Sequence, residues 1–129
     1  MTDKLNKDHK SKKRNTREIG KEWEHTAGSF LQARGIEILE YNFNCRSGEI
    51  DIIARDDDYL VFVEVKYRRS YSYGDPSQAV SRHKQKKLKQ TAGFYILKRG
   101  FAKYPLCRFD VIGICTENGL EIEWIKNAF

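Results

Sequence analysis

The sequence has no long hydrophobic segment. Its apolar runs reach only about five or six residues, against the roughly 18–20 that a membrane-spanning helix needs. The basic residues near its start are not followed by the apolar stretch of a secretory signal. We therefore expect no membrane partner and predict a cytoplasmic protein.

Cysteine is also scarce. Cys45, Cys107 and Cys115 are odd in number and widely spaced. They form no C-x-x-C pair, and no Cys/His cluster has the spacing of a zinc site. We interpret them as small, buried, unpaired side chains in a reducing compartment, which excludes a disulfide framework.

Charge is abundant and unevenly distributed over the 129 residues, whose formal net charge is +6. Residues 1–18 carry +4, residues 19–65 carry −6, residues 66–108 carry +11 and residues 109–129 carry −3. One interpretation of the basic segment is a solvated helix face. We favour the other, a surface that binds nucleic acid, because tyrosines that suit base stacking interleave with its first basic residues.

The length predicts one compact domain, which we place at residues 16–129 behind a flexible basic tail at 1–15. Apolar side chains at helical spacing from Ile19 to Leu31 predict a helix that ends at Gly35 in a left-handed conformation. The remaining patterns predict, in order, strands at 36–41, 49–55 and 60–66, a helix at 77–99, and strands at 107–116 and 120–125. The predicted order is α-β-β-β-α-β-β, an α/β fold with helices packed on a sheet.

Acidic side chains occur among valines and isoleucines on two of these strands. Because side chains alternate along a strand, Glu64 and Lys66 share one face. The polar residues 56–58 predict a turn, so the two strands should pair as an antiparallel hairpin that brings Asp51 towards Glu64. Two carboxylates in an apolar sheet repel each other, and we predict that a divalent cation, Mg²⁺ or Mn²⁺, compensates that repulsion.

These residue types indicate phosphodiester hydrolysis. Asp51 and Glu64 are the predicted metal ligands, and Glu24 adds a carboxylate if the first helix packs beside the sheet. Lys66 would position the attacking water or neutralise charge in the transition state. The alternative is a structural ion pair, either between Glu64 and Lys66 or across the strands, on a solvent-facing surface. Asp110 is either a further acid near the site or part of an ion pair.

Several separated motifs resemble the YraN-like family of small, uncharacterised bacterial proteins. They are GEIDIIA at 48–54, LVFVEVKYR at 60–68, GDP at 74–76, KQ at 84–85 and RFDV at 108–111, with the E-x-x-A-x-x-F-L pattern at 24–31. The resemblance implies a restriction-endonuclease-like fold, with a mixed central sheet flanked by helices. It also implies that Asp51, Glu64 and Lys66 are nuclease signature residues, that Glu24 is the helical acid and that Glu49 is a neighbouring acid.

We therefore predict a Mg²⁺- or Mn²⁺-dependent endonuclease that acts on structured or branched DNA. The predicted nucleic-acid contacts are Arg68, Arg69, Arg82, Lys84, Gln85 and Lys87. A second hypothesis is a non-catalytic DNA- or RNA-binding module of nuclease fold that assists a repair or recombination partner. A third is a metal-dependent or protein-interaction domain whose basic surface is incidental. A homodimer would suit an enzyme that cuts two strands, but the sequence reveals no dimer interface.

Overall fold

The computed structural model of this protein describes residues 15–70 and 80–129. Most of the predicted tail, residues 1–14, and residues 77–79 of the second predicted helix lie outside the described residues. Within the described ranges, no helix is both long enough and apolar enough to cross a membrane.

The first helix, α1, spans Thr16–Gln32 and begins at a capping box. The Asn15 side chain accepts a hydrogen bond from the Glu18 amide at 2.8 Å, and the Glu18 carboxylate accepts one from the Asn15 amide at 3.1 Å. After the helix, the Ile36 amide donates to the Leu31 carbonyl across Gly35, whose φ is +85°. The predicted left-handed conformation of Gly35 is confirmed, and glycine adopts it without a Cβ penalty. The helix itself ends earlier than predicted, at Gln32, with Ala33 as its C-cap.

Five strands and a second helix follow. Strands β1 Glu37–Cys45, β2 Gly48–Asp56 and β3 Tyr59–Arg68 form an antiparallel meander, helix α2 spans Arg82–Arg99, and strands β4 Leu106–Cys115 and β5 Glu121–Ile125 complete the sheet. Strand β4 lies parallel to β3 and antiparallel to β5, so the sheet is mixed. The predicted α/β class, the element order and the mixed sheet flanked by helices are confirmed.

Two further boundaries differ from prediction by four residues or more. Strand β1 continues to Cys45, beyond the predicted end at 41, because Asn42 interrupts the alternation that would have revealed its second half. Helix α2 begins at Arg82, where the hydroxyl of Ser81 accepts a hydrogen bond from the Lys84 amide at 3.1 Å. Val80 and Ser81 therefore precede the helix, because a serine cap satisfies amides that have no partner inside the helix.

The sheet separates two apolar cores. One core lies against α1 and contains Ala27, Leu31, Ile36, Ile52, Ala54, Val61, Val63, Ile112 and Ile114. The other lies against α2 and contains Phe43, Ile50, Ile53, Leu60, Phe62, Val80, Leu88, Ala92, Tyr95, Ile96 and Val111. Burial of one such aliphatic side chain contributes about 1.5–3 kcal/mol, so both helices are held to the sheet mainly by these faces.

Strands β1 and β2 exchange faces at one level of the sheet. Tyr41 and its partner Ile52 pack with the α1 core, whereas Phe43 and its partner Ile50 pack with the α2 core. On a regular strand, residues two positions apart share a face. Between the two pairs lie Asn42, with φ +55°, and Asp51. Because both strands change faces at this level, Asn42 and Asp51 lie beside α1.

All three cysteines are free thiols. Cys115 is buried, as predicted, but Cys45 and Cys107 are only half-buried, so the prediction of burial is wrong for them. Cys45 lies at the end of β1, where the chain turns into β2. Partial burial acts to raise the pKa of Cys45, but hydrogen bonds from the backbone of Ser47 and Gly48 outweigh it and hold that pKa below its ordinary value.

Candidate metal and nucleic-acid site

A cleft of about 360 Å³ lies among α1, the ends of β2 and β3, and the first turn of α2. Three acids line it, each from a different element: Glu24 from α1, Asp51 from β2 and Glu64 from β3. Lys66 from β3 and Lys84 from α2 line the same cleft. The structure therefore brings together all four residues predicted to be catalytic, and it adds Lys84 to them.

Asp51 occupies the point where β2 and β3 cease to pair. The last paired residues on this side are Ile52 and Val63, and beyond them the Val65 amide donates to Asp51 Oδ2 at 2.8 Å. Burial, and then the negative charge of Glu64, raise the pKa of Asp51 to about 8, although the Val65 hydrogen bond acts in the opposite direction. Asp51 is therefore largely protonated at neutral pH. This protonation indicates that the cleft has more negative charge than its own basic side chains compensate.

Glu24 projects from the buried face of α1 and is 9% exposed. The Asn42 side-chain amide donates to Glu24 Oε1 at 2.6 Å, and Asp51 shares a further hydrogen bond with Glu24. Burial raises the pKa of Glu24, although both hydrogen bonds act to lower it. One carboxylate oxygen from each of Glu24, Glu49 and Asp51 lies within 4.8 Å of the other two.

Glu64 is held by two ammonium groups. Its Oε2 atom lies 2.5 Å from the Lys84 Nζ and 3.3 Å from the Lys66 Nζ. The ion pair of Glu64 with Lys66 that we considered is present, but Glu64 is only 5% exposed, so the pair does not lie on a solvent-facing surface. Burial acts to lower the pKa of Lys84, and the hydrogen bond and charge of Glu64 outweigh that effect, so the pKa is raised.

The donor set fits a hard divalent cation. Mg²⁺ and Mn²⁺ prefer carboxylate oxygens, and Glu24, Glu49 and Asp51 place three within reach of one ion. Burial is the main cause that raises the pKa values of Glu24 and Asp51, and the charge of neighbouring acids adds to it, so these carboxylates favour a bound proton or a bound cation. Glu64 lines the cleft beside this group, and its role as a ligand stays a prediction.

The predicted nucleic-acid contacts lie in three environments. Arg69, Arg82 and Lys87 are exposed, as such contacts require. Lys84 is half-buried in the acid cleft, and Arg68 is half-buried at the end of β3. Gln85 has a structural contact, because its side-chain amide donates to the Val80 carbonyl at 3.0 Å and anchors the segment before α2.

A shallow groove runs along the exposed side of α2. Arg82 and Gln85 line it together with Lys86, Lys89 and Gln90. The sequence prediction omitted Lys86 and Lys89, although their charge is part of the basic segment. The helical spacing of positions 82, 86 and 89 was the available signal, because residues three and four apart lie on one face.

An aromatic pair also lines the cleft. Trp23 of α1 stacks on Tyr67 of β3, with ring centroids 4.4 Å apart and planes 10° apart. The Tyr67 hydroxyl shares a 3.1 Å hydrogen bond with Thr116, which ties the pair to the end of β4. No sequence pattern predicts this contact, because it depends on how α1 crosses the sheet.

Asp110 does not belong to the site. It is fully buried on β4, where its carboxylate accepts hydrogen bonds from Arg108, from the Trp124 indole and from the Asn127 amide. Arg108 also contacts Asp56 at 2.9 Å. Of the two roles considered for Asp110, the structure therefore supports the ion pair.

The fold and site define a small α/β protein with a carboxylate cluster beside a basic helix. The family described as uncharacterised protein family UPF0102 matches residues 23–114, and the chain belongs to that family. This finding confirms the predicted membership in a YraN-like uncharacterised family. The matched range includes the whole acid cluster and all of α2.

Relatives from distant bacteria match over nearly their full length. A UPF0102 protein of Nitrosococcus oceani is 42% identical over 114 residues, which cover 88% of this chain and 92% of the relative. One of Caldicellulosiruptor saccharolyticus is 45% identical over 118 residues, covering 89% and 99%. One of Clostridium botulinum is 43% identical over 116 residues, covering 88% and 94%.

Proposed function

We propose that this protein is a Mg²⁺- or Mn²⁺-dependent endonuclease that hydrolyses phosphodiester bonds in structured or branched DNA. The observation that carries the proposal is the group of Glu24, Glu49 and Asp51 oxygens within 4.8 Å of one another, in a cleft that also contains Glu64 and Lys66. Such a cluster beside a lysine suits a metal-assisted reaction at a phosphate. We also propose a restriction-endonuclease-like fold, which the α-β-β-β-α-β-β order and the mixed sheet support.

Different residues of the chain have different roles in this reaction. Asp51 and Glu24 would hold a divalent ion, with Glu49 and Glu64 adjacent, and that ion would supply Lewis-acid chemistry at the phosphodiester. Lys66, whose ammonium lies 3.3 Å from Glu64, neutralises charge that develops on the phosphoryl group or orients the attacking water. Asn42 fixes the orientation of Glu24 through its 2.6 Å hydrogen bond.

The substrate would approach across α2. Arg82 and Lys87 are exposed on this helix, and Arg69 is exposed just after β3. Lysine and arginine side chains bind phosphates by releasing condensed counterions, which makes affinity depend steeply on salt. A polyanion bound along α2 would pass the first turn of the helix, where Lys84 reaches the acid cleft. DNA is the proposed partner, and a cytoplasmic site of action agrees with the three free thiols.

Cleavage assays test the proposal. Four-way junction, flap and single-stranded DNA are incubated with the protein and Mg²⁺ or Mn²⁺, and products are separated on denaturing gels. We expect Glu64→Ala and Lys66→Ala to lower the rate by about 100-fold or more. The exposed Asp58→Ala, on the turn between β2 and β3, serves as the matched control. Equal rates in wild type and both cleft variants would refute a nuclease centred here.

A second candidate is a binding module that retains this cleft without cleaving. The ion pair of Glu64 with Lys84 favours it, because a cleft that neutralises part of its own charge is stable without a metal. This function predicts DNA binding that is steeply salt-dependent, needs no metal and persists in Asp51→Ala. Mn²⁺ titration calorimetry on wild type and Asp51→Ala separates the two candidates. Only the nuclease requires that the wild type binds Mn²⁺ and that Asp51→Ala loses this Mn²⁺ binding. Absence of binding to any DNA or RNA at low salt would instead favour a protein-interaction domain.

A further inference from the structure

Lys84 differs from its neighbours on α2 in where its ammonium lies. Lys86 and Lys87 are exposed, whereas Lys84 enters the acid cleft and contacts Glu64 Oε2 at 2.5 Å. Lys66 reaches the same oxygen at 3.3 Å. A buried carboxylate oxygen thus accepts two ammonium groups from different elements.

The backbone of Lys84 is fixed in an unfavourable place for a cation. Its amide donates to the Ser81 hydroxyl in the first turn of α2, where the partial positive charge of the helix dipole repels basic side chains. This turn contains no acidic residue that would offset the repulsion. The compensating charge comes from across the cleft, from Glu64 and, at longer range, Asp51.

We propose that the Lys84 ammonium is the internal counter-ion of the acid cleft. It pairs with Glu64 in the metal-free protein, and it moves from Glu64 to a phosphate of the bound nucleic acid when a divalent cation enters. The four-carbon stem of lysine allows this movement without displacement of the helix. The inference rests on the proposed function and adds a positioning residue that couples metal binding to phosphate binding.

The coupling has a signature that a purely structural lysine lacks. Removal of the Lys84 charge leaves the cleft more negative, so Mn²⁺ alone should bind more tightly. The same change removes a charge-assisted contact to phosphate, so DNA should bind less tightly once the cation is present. A lysine that only supported the fold would weaken both equilibria.

Titration calorimetry with Mn²⁺ alone at pH 8.5 tests the expected effect of Lys84 on metal binding. We expect Lys84→Met to bind Mn²⁺ about threefold to tenfold more tightly than wild type. Lys84→Arg retains the charge and should stay close to wild type, and Lys86→Met should do the same because it removes an exposed charge two residues along the helix, on a different face from Lys84. Unchanged or weaker Mn²⁺ binding by Lys84→Met would overturn the inference. Failure of the wild type to bind Mn²⁺ would overturn both this inference and the proposed nuclease.

Binding of a fluorescent four-way junction with and without Ca²⁺ tests the expected contact of Lys84 with a DNA phosphate. Ca²⁺ should increase the affinity of the wild type for the junction, and this increase should be about tenfold smaller in Lys84→Met. An equal effect of Ca²⁺ on both proteins would overturn the transfer of the ammonium to phosphate. This result would leave the cleavage assays, and thus the proposed function, unaffected.

Discussion

The Val65 amide and the Asp51 carboxylate are joined by a 2.8 Å hydrogen bond just beyond the last paired residues of β2 and β3. A side chain here supplies the acceptor that a strand carbonyl would supply in a continuous ladder. The two strands can therefore separate without leaving the Val65 amide unsatisfied. The cleft lies in the space that this separation opens, so the same carboxylate both ends the pairing and lines the site.

We expect Asp51→Asn to stabilise the protein at alkaline pH. Because the folded pKa of Asp51, about 8, lies above its ordinary value, the stability provided by the neutral carboxyl is present below about pH 4 and is lost as pH rises through 8. Asparagine does not ionise, so the variant should be about 2–4 kcal/mol more stable than wild type at pH 9 and differ little at pH 4. Urea unfolding at both pH values measures the difference. Asp57→Asn, at an exposed turn, is the control, and parallel pH profiles for Asp51→Asn and wild type would contradict the prediction.

Mn²⁺ affinity should rise with pH between about 6 and 9. The pKa values of Asp51 and Glu24 are raised, so protons compete with the cation at the lower end of this range. We expect an affinity gain of about tenfold or more, with protons released on binding. Calorimetry in two buffers of different ionisation enthalpy detects that release. Glu49→Gln should weaken binding at every pH, and a pH-independent affinity would show that these acids do not bind the ion.

The exposed cations of α2 should contribute to the salt dependence of DNA binding. Each phosphate contact adds about 0.9 to the slope of log affinity against log salt, so Arg82→Ala and Lys87→Ala should each reduce the slope by about 1. Fluorescence anisotropy between 50 and about 200 mM salt measures the slopes. Lys126→Ala, on an exposed residue after β5, is a matched loss of charge elsewhere. Equal slopes in all four proteins would place the DNA on another surface.

Asp110→Asn should destabilise the fold without altering metal binding. The variant removes one of the two carboxylates that pair with the half-buried Arg108, the other being Asp56, and loss of one partner of a buried ion pair costs about 3–5 kcal/mol. Chemical unfolding at pH 7 measures this cost. Mn²⁺ affinity below the melting transition should match wild type. A specific loss of Mn²⁺ binding in folded Asp110→Asn would return this acid to the metal site.

The sequence was informative where spacing along a single hairpin decides the geometry. Alternation in β2 and β3 and the polar turn between them were enough to bring Asp51 towards Glu64. Helical spacing predicted α1, and Glu24 joins the site because that helix packs beside the sheet, the condition on which its prediction depended. These contacts depend on short stretches of chain whose periodicity is visible.

Contacts that depend on packing between distant elements were not predicted. The pairing of Lys84 with Glu64 requires the start of α2 to be set by Ser81 and the helix to lie against β3. No sequence pattern around Asn42 predicts its left-handed conformation either. At this residue, the side chains of β1 change the face of the sheet to which they point. Simple alternation does not include this change of face, so it does not predict that Glu49 lies near Glu24.

The parallel pairing of β3 with β4 has a consequence for synthesis of the chain. Every acid that the described residues contribute to the cleft lies between residues 24 and 64, in α1 and the antiparallel meander, whereas Lys84 lies beyond it on the crossover to β4. A ribosome releases the N-terminal elements first, and a meander forms from local contacts that need no later sequence. The carboxylates are therefore assembled with Lys66 but before Lys84, the second lysine that contacts Glu64, has been translated. In the nascent chain, protons or a metal ion from solution must relieve the repulsion that Lys66 leaves uncompensated.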